Sequence, residues 1–145
     1  MTSTLNTNFS NAALSADTTY LYKVAAVAGT VASPLSAVDP ATTTIFNDDP
    51  LNAGTPVRAA HLTQLRTAVN AMRAAAGLGV QAFTDPGLGA GTTIKGVHLT
   101  QLRTALDQAR ATLALPAIAY TDPAVTAAST RIKVVHISNV RTGVK

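Results

Sequence analysis

Three stretches decide the architecture: Val57-Arg58-Ala59-Ala60-His61-Leu62-Thr63-Gln64-Leu65-Arg66-Thr67-Ala68-Val69, Ile94-Lys95-Gly96-Val97-His98-Leu99-Thr100-Gln101-Leu102-Arg103-Thr104-Ala105-Leu106, and Ile132-Lys133-Val134-Val135-His136-Ile137-Ser138-Asn139-Val140-Arg141-Thr142-Gly143-Val144. Apolar residues in and just after each step by three and four: Leu62, Leu65, Val69, Met72; Leu99, Leu102, Leu106, Ala109, Leu113; Ile137, Val140, Val144. That spacing predicts three amphipathic helices with one buried stripe each.

Working outward, the three stretches belong to an internal repeat. Asp48, Asp85 and Asp122 recur at a spacing of 37 residues, each followed three positions later by Leu51, Leu88 or Val125. Copies therefore fall near 48–84, 85–121 and 122–145. Thr55, Thr92 and Thr130 stand two residues before each stretch, where a hydroxyl can cap free backbone amides, and Pro56 suits a first helical position. Gly77 closes the first helix and Pro116 follows the second. The last copy is short, so it is expected to cap the two before it in a compact three-helix cluster.

The residues before the repeats have another texture. Thr19-Tyr20-Leu21-Tyr22-Lys23-Val24-Ala25-Ala26-Val27 alternates around β-formers, Gly29, Pro34, Asp39 and Pro40 punctuate the residues beyond it, and Ala41 to Phe46 reads as a further strand. The expected organisation is a β region over 1–47 followed by a helical repeat region over 48–145, an α+β chain.

The composition narrows the function classes. The chain has 145 residues, 47% of them hydrophobic and 12% charged, which predicts a packed core and excludes a disordered chain. There is no cysteine, which removes disulfides, thiolate metal sites and a cysteine nucleophile. The net charge of +4 is spread without a block of basic residues, so nucleic acid is permitted but not indicated. No apolar run approaches the roughly 18 residues of a spanning helix. The first residues lack the basic and apolar segments of a secretory signal, so an extracellular chain would have lost its signal or carry it upstream.

Three polar residues recur with the repeat. His61, His98 and His136 would first suggest a metal site, but each is alone on its helix, with no second histidine or carboxylate three or four positions on, and Glu is absent. The expected role is structural, a hydrogen bond from each histidine to the preceding Asp-Pro loop. Arg66, Arg103 and Arg141 follow five residues after each histidine, and Asp48, Asp85 and Asp122 are their expected acidic partners, bridging neighbouring copies. Neither a Gly-x-Ser-x-Gly elbow, a phosphate loop nor a paired-carboxylate context is present. No catalytic, cofactor-binding or metal residue is therefore assigned.

Leu14-Ser15-Ala16-Asp17-Thr18-Thr19-Tyr20, with the alternating Tyr22, Val24 and Ala26 and the loop Ser33-Pro34-Leu35-Ser36, resembles the tyrosine corner and adjoining strand of a fibronectin type III domain. The resemblance implies strand E over Phe9 to Leu14 and strand G over Thr42 to Phe46. The helical stretches resemble repeats with the pattern Ile-Lys-Ala-Val-His-Ile-x-Glu-Leu-Arg at the C-termini of bacterial secreted and surface proteins. Gln64, Gln101 and Asn139 depart from that pattern at the Glu position. The resemblance implies an extracellular or cell-surface setting and no activity.

A fibronectin-type sandwich needs about seven strands, and only three are readable before the helices begin. Such an incomplete fibronectin-like antiparallel sheet exposes an apolar face and open edges. The expectation is therefore a non-enzymatic extracellular structural protein that self-assembles into a pilus-like filament by strand complementation. Leu5 and Phe9 of one subunit are expected to contact Tyr22 and Val24 of the next. The alternative is a C-terminal surface-attachment or sorting module of a larger secreted protein, with cell-wall glycan as partner.

Overall fold

The computed structural model describes residues 8–126 and 129–145. Its elements run β1 (Thr19–Tyr22), β2 (Val27–Ala28), β3 (Val31–Ala32), β4 (Asp39–Thr42), α1 (Ala59–Ala75), α2 (Gly96–Thr112) and α3 (Val134–Gly143), an α+β architecture. The helices form the core. Leu62, Leu65, Val69, Met72, Leu99, Leu102, Leu106, Ala109, Ile137, Val140 and Val144 are all fully buried, while Leu113 at the end of its stripe is half-buried. Each helix packs on both others, and α1 also carries β1 and β4.

The helices begin three residues later than the threonines before them suggest. Their N-caps are Arg58, Lys95 and Lys133, so Thr55, Thr92 and Thr130 cap none of them. Thr92 and Thr130 instead accept loop amides, from Gly89 and Thr126. A better amide acceptor stands inside the first turn: the third helical residue is His61, His98 or His136, whose Nδ1 accepts the N-cap N–H. This is the task of the acid in a capping box, performed by imidazole.

Both long helices end in Schellman turns. Gly77, at φ +72, and Leu78 donate to the carbonyls of Ala74 and Arg73. Ala114, at φ +54, and Leu115 repeat the pattern on Ala111 and Arg110, with Pro116 beyond. Gly143 on α3 sits so close to α2 that an added Cβ would lie 2.7 Å from Leu106 Cδ2 and closer still to Ile118 Cδ1.

The β region is smaller and shifted from expectation. β1 pairs antiparallel with β4, Thr19 opposite Thr42, and β2 with β3, Val27 opposite Ala32. The last strand is Asp39–Thr42, where the expected strand G was Thr42 to Phe46; Phe46 is instead buried in the helical core. Its ring is worth more in that core than on an exposed strand. Residues 9–14 form no strand. Their neighbours hold a turn instead: Ser15 N–H donates to Tyr20 Oη at 3.0 Å, and Asn11 Nδ2 to Tyr22 Oη at 3.2 Å.

Candidate functional site

The recurring polar residues converge on three equivalent turns. Asp48, Asp85 and Asp122 adopt φ of +52, +52 and +49, the left-handed region that Asp tolerates better than most side chains. This aims each carboxylate at the histidine of its own copy. Asp48 Oδ2 lies 3.1 Å from His61 Nε2, Asp85 Oδ2 3.0 Å from His98 Nε2, and Asp122 Oδ2 3.0 Å from His136 Nε2. Because Nδ1 of each ring accepts a backbone N–H, the neutral ring carries its proton on Nε2 and donates it to the carboxylate. All three rings are fully buried with both nitrogens engaged, so none is free to act as a base or as a metal ligand. Among the described residues no group of three or more His, Cys, Asp or Glu side chains could hold a metal ion.

Lys95 and Lys133 add ion pairs to Asp85 and Asp122, at 2.8 and 2.9 Å. Hydrogen bonds from the lysine and then the histidine hold both carboxyls below the ordinary Asp range. Lys145 does the same for Asp49, with smaller help from the charge of Arg141.

The arginines do bridge copies, but to carbonyls and not to the expected carboxylates. Arg66 donates from its two terminal nitrogens to Asp85 O and Thr84 O at 2.9 and 2.6 Å. Arg103 does so to Asp122 O and Thr121 O, both at 2.9 Å, and Arg141 to Asp48 O and Asn47 O at 2.9 and 2.7 Å. The histidines already occupy the carboxylates, and the left-handed Asp turns two successive carbonyls toward the guanidinium fork. Arg141 passes Asp49 Oδ1 only at 4.0 Å. Burial lowers the proton affinity of all three guanidinium groups.

Copy one thus holds copy two, copy two holds copy three, and Arg141 of copy three returns to the turn of copy one. The last contact spans 93 residues of sequence and closes a ring.

Three further sets of residues were not assigned from sequence. Each bridging arginine stacks on an aromatic ring, Arg66 on Phe83 at 5.2 Å, Arg103 on Tyr120 at 4.5 Å and Arg141 on Phe46 at 4.8 Å. The departures at the Glu position have a use: Gln64, Gln101 and Asn139 accept the N–H of Asn47, Thr84 and Thr121 through their amide oxygens. Arg73 and Arg110 also reach the next copy, at Ala105 O and Gly143 O. The first set and the last recur every 37 residues, a period that could have found them.

The β region places the other expected residues differently. Tyr22 is half-buried, Val24 and Phe9 are 70% and 60% exposed, and Leu5 lies outside the described residues. Val27, Val31 and Leu35 are also exposed, so apolar surface concentrates on the hairpin. Where β1 pairs with β4 and β2 with β3, an irregular middle is bridged by serines: Ser33 Oγ accepts Ala26 N–H and Ser36 Oγ accepts Val24 N–H. Among the described residues no helix is long and apolar enough to cross a membrane. No family model matches the chain, and neither a curated protein nor a solved structure gives a significant match.

Proposed function

We propose that this chain is a non-catalytic extracellular structural protein whose β region mediates self-assembly into a filament by strand complementation. One observation carries the reading. The helical repeats close on themselves, whereas the hairpin leaves Leu21, Val24, Val27, Val31 and Leu35 in solvent on a sheet only two strands wide. A two-stranded ribbon with exposed apolar residues gains most from an added strand. Full engagement of the repeated histidines supports a non-catalytic role. The Tyr20 hydroxyl, bonded to the backbone five residues upstream, supports reading 14–42 as the last part of a fibronectin-like sandwich.

Electron microscopy of the purified chain, beside light scattering, tests the proposal. Ordered fibres built from the 14.8 kDa subunit are expected; a monomer at every concentration would overturn it.

A second reading, surface attachment through cell-wall glycan, is favoured by a groove of about 360 Å³ between the two regions. Asp17, Thr43, Thr44, Thr63, Gln64 and Thr67 line it with hydroxyl, amide and carboxylate groups suited to a saccharide. Retention on purified cell wall, lost in Asp17→Ala, is its expected signature.

A further inference from the structure

Granting the self-association proposed above, we propose that the accepting site is the outer edge of β1 and β2, at the main-chain groups of the exposed Leu21, Lys23, Ala25 and Val27, and that the segment Thr2 to Phe9 of a second copy occupies it. The phase of the ladder selects this edge. Thr43 N–H donates to Thr18 O at 3.0 Å, Ser36 N–H to Val24 O at 2.8 Å and Ser33 N–H to Ala26 O at 2.8 Å. Even-numbered residues from 18 to 28 thus turn their main-chain groups toward β3 and β4, and by strand alternation the odd-numbered ones turn theirs outward.

The phase survives the irregular middle because the extra residues lie on the other strand. From Thr19 to Val27 the chain advances eight positions, while its partner from Ala32 to Thr42 advances ten. No hydrogen bond from another described segment reaches the outward groups of these four residues.

The opposite edge is closed to a long partner. Pro40 stands across from Leu21, in a pair whose groups point outward, and it has no N–H to offer. A proline at the centre of an edge blocks strand addition, whereas the β1 and β2 edge has no proline and a single charge, Lys23.

The Thr2 to Phe9 segment suits the open edge in length and chemistry. It has no charge, glycine or proline, and it alternates Leu5, Thr7 and Phe9 with Thr4, Asn6 and Asn8. Asn11 and Ser15 anchor the residues after it on the tyrosine hydroxyls of β1, and Phe9 beside this anchor stays exposed.

Amide hydrogen exchange and light scattering on the full chain, an Ala25→Pro variant and a variant lacking residues 2–8 test the assignment. Ala25→Pro removes one outward N–H and no ladder bond, so it is expected to weaken association at least tenfold while circular dichroism is unchanged. The shortened variant is expected to stay monomeric, and added Thr2–Phe9 peptide to slow exchange at Leu21, Lys23, Ala25 and Val27. Full association of both variants would overturn the assignment and leave self-association standing through another surface. Slow exchange at those amides in dilute monomer would overturn it in favour of the subunit's own arm. A full-length chain that never associates would overturn the self-association reading itself.

Discussion

In the helical repeats the terminal nitrogens of the bridging arginines find carbonyl partners 18 or more residues away, as Arg66 does at Thr84, while their Nε atoms are buried without a partner among the described residues. In the β region the middle of the hairpin is held by its own serines, as with Ser33 and Ala26. The same small, weakly charged residue set therefore yields two kinds of object. Repeats whose contact groups recur at one spacing can close a ring and bury a core. The hairpin, two strands wide, leaves Val24, Val27 and Val31 exposed.

The largest expected contrast between the regions is in truncation of apolar side chains. Leu102→Ala, at a fully buried position, should lower unfolding free energy by about 3 kcal/mol, whereas Val31→Ala on the exposed hairpin should change it by under about 0.5 kcal/mol. Urea titration followed by far-ultraviolet circular dichroism measures both, and equal effects would remove the distinction between closed and open regions. Gly143→Ala asks how tightly the ring is closed: its Cβ meets Leu106 and Ile118, so a cost of about 2 kcal/mol is expected in the same titration.

Arg103→Lys keeps the charge but loses the two-pronged bond to Thr121 and Asp122, and should cost roughly 1.5 kcal/mol. A double-mutant cycle with Tyr120→Leu would separate the stacking contribution. In the opposite direction, Ala114→Gly relieves a left-handed alanine at the end of α2, with an expected gain of about 1 kcal/mol in thermal or urea unfolding.

The smallest effect concerns pH. Asp85 and Asp122 ionise below their ordinary value when folded, because hydrogen bonds from Lys95 and Lys133, then His98 and His136, favour the carboxylate. Their contribution is present above the ordinary Asp range and is lost as pH falls through the lowered folded values. Acid titration of Asp85→Asn should therefore show a shallower loss of stability below about pH 4 than the parent chain.

Much of the repeat region was legible because helical periodicity is a local property: Leu62, Leu65, Val69 and Met72 share a face whatever surrounds them. The link from each histidine to the Asp-Pro loop before it was legible because both recur in every copy, 13, 13 and 14 residues apart. The cap positions were not, because a threonine before a helix is a common solution, and preference for the imidazole depends on the backbone path of the Asp turn. The arginine partners could not be read either, since choosing a carbonyl over a carboxylate requires knowing that His98 already holds Asp85. In the β region the alternation of Tyr20, Tyr22 and Val24 marked a strand, but the displacement of Phe46 into the helical core is a matter of long-range packing.

By itself the sequence determined an α+β chain, three amphipathic helices of one repeat and a strand-forming segment before them, because spacing of three, four and two residues is written along the chain. Only the tertiary structure decided that the repeats form a closed ring, since Arg141 and Asp48 are brought together by folding across 93 residues. It also decided which main-chain groups of the hairpin face the partner strand, because that direction depends on which residue lies across the ladder.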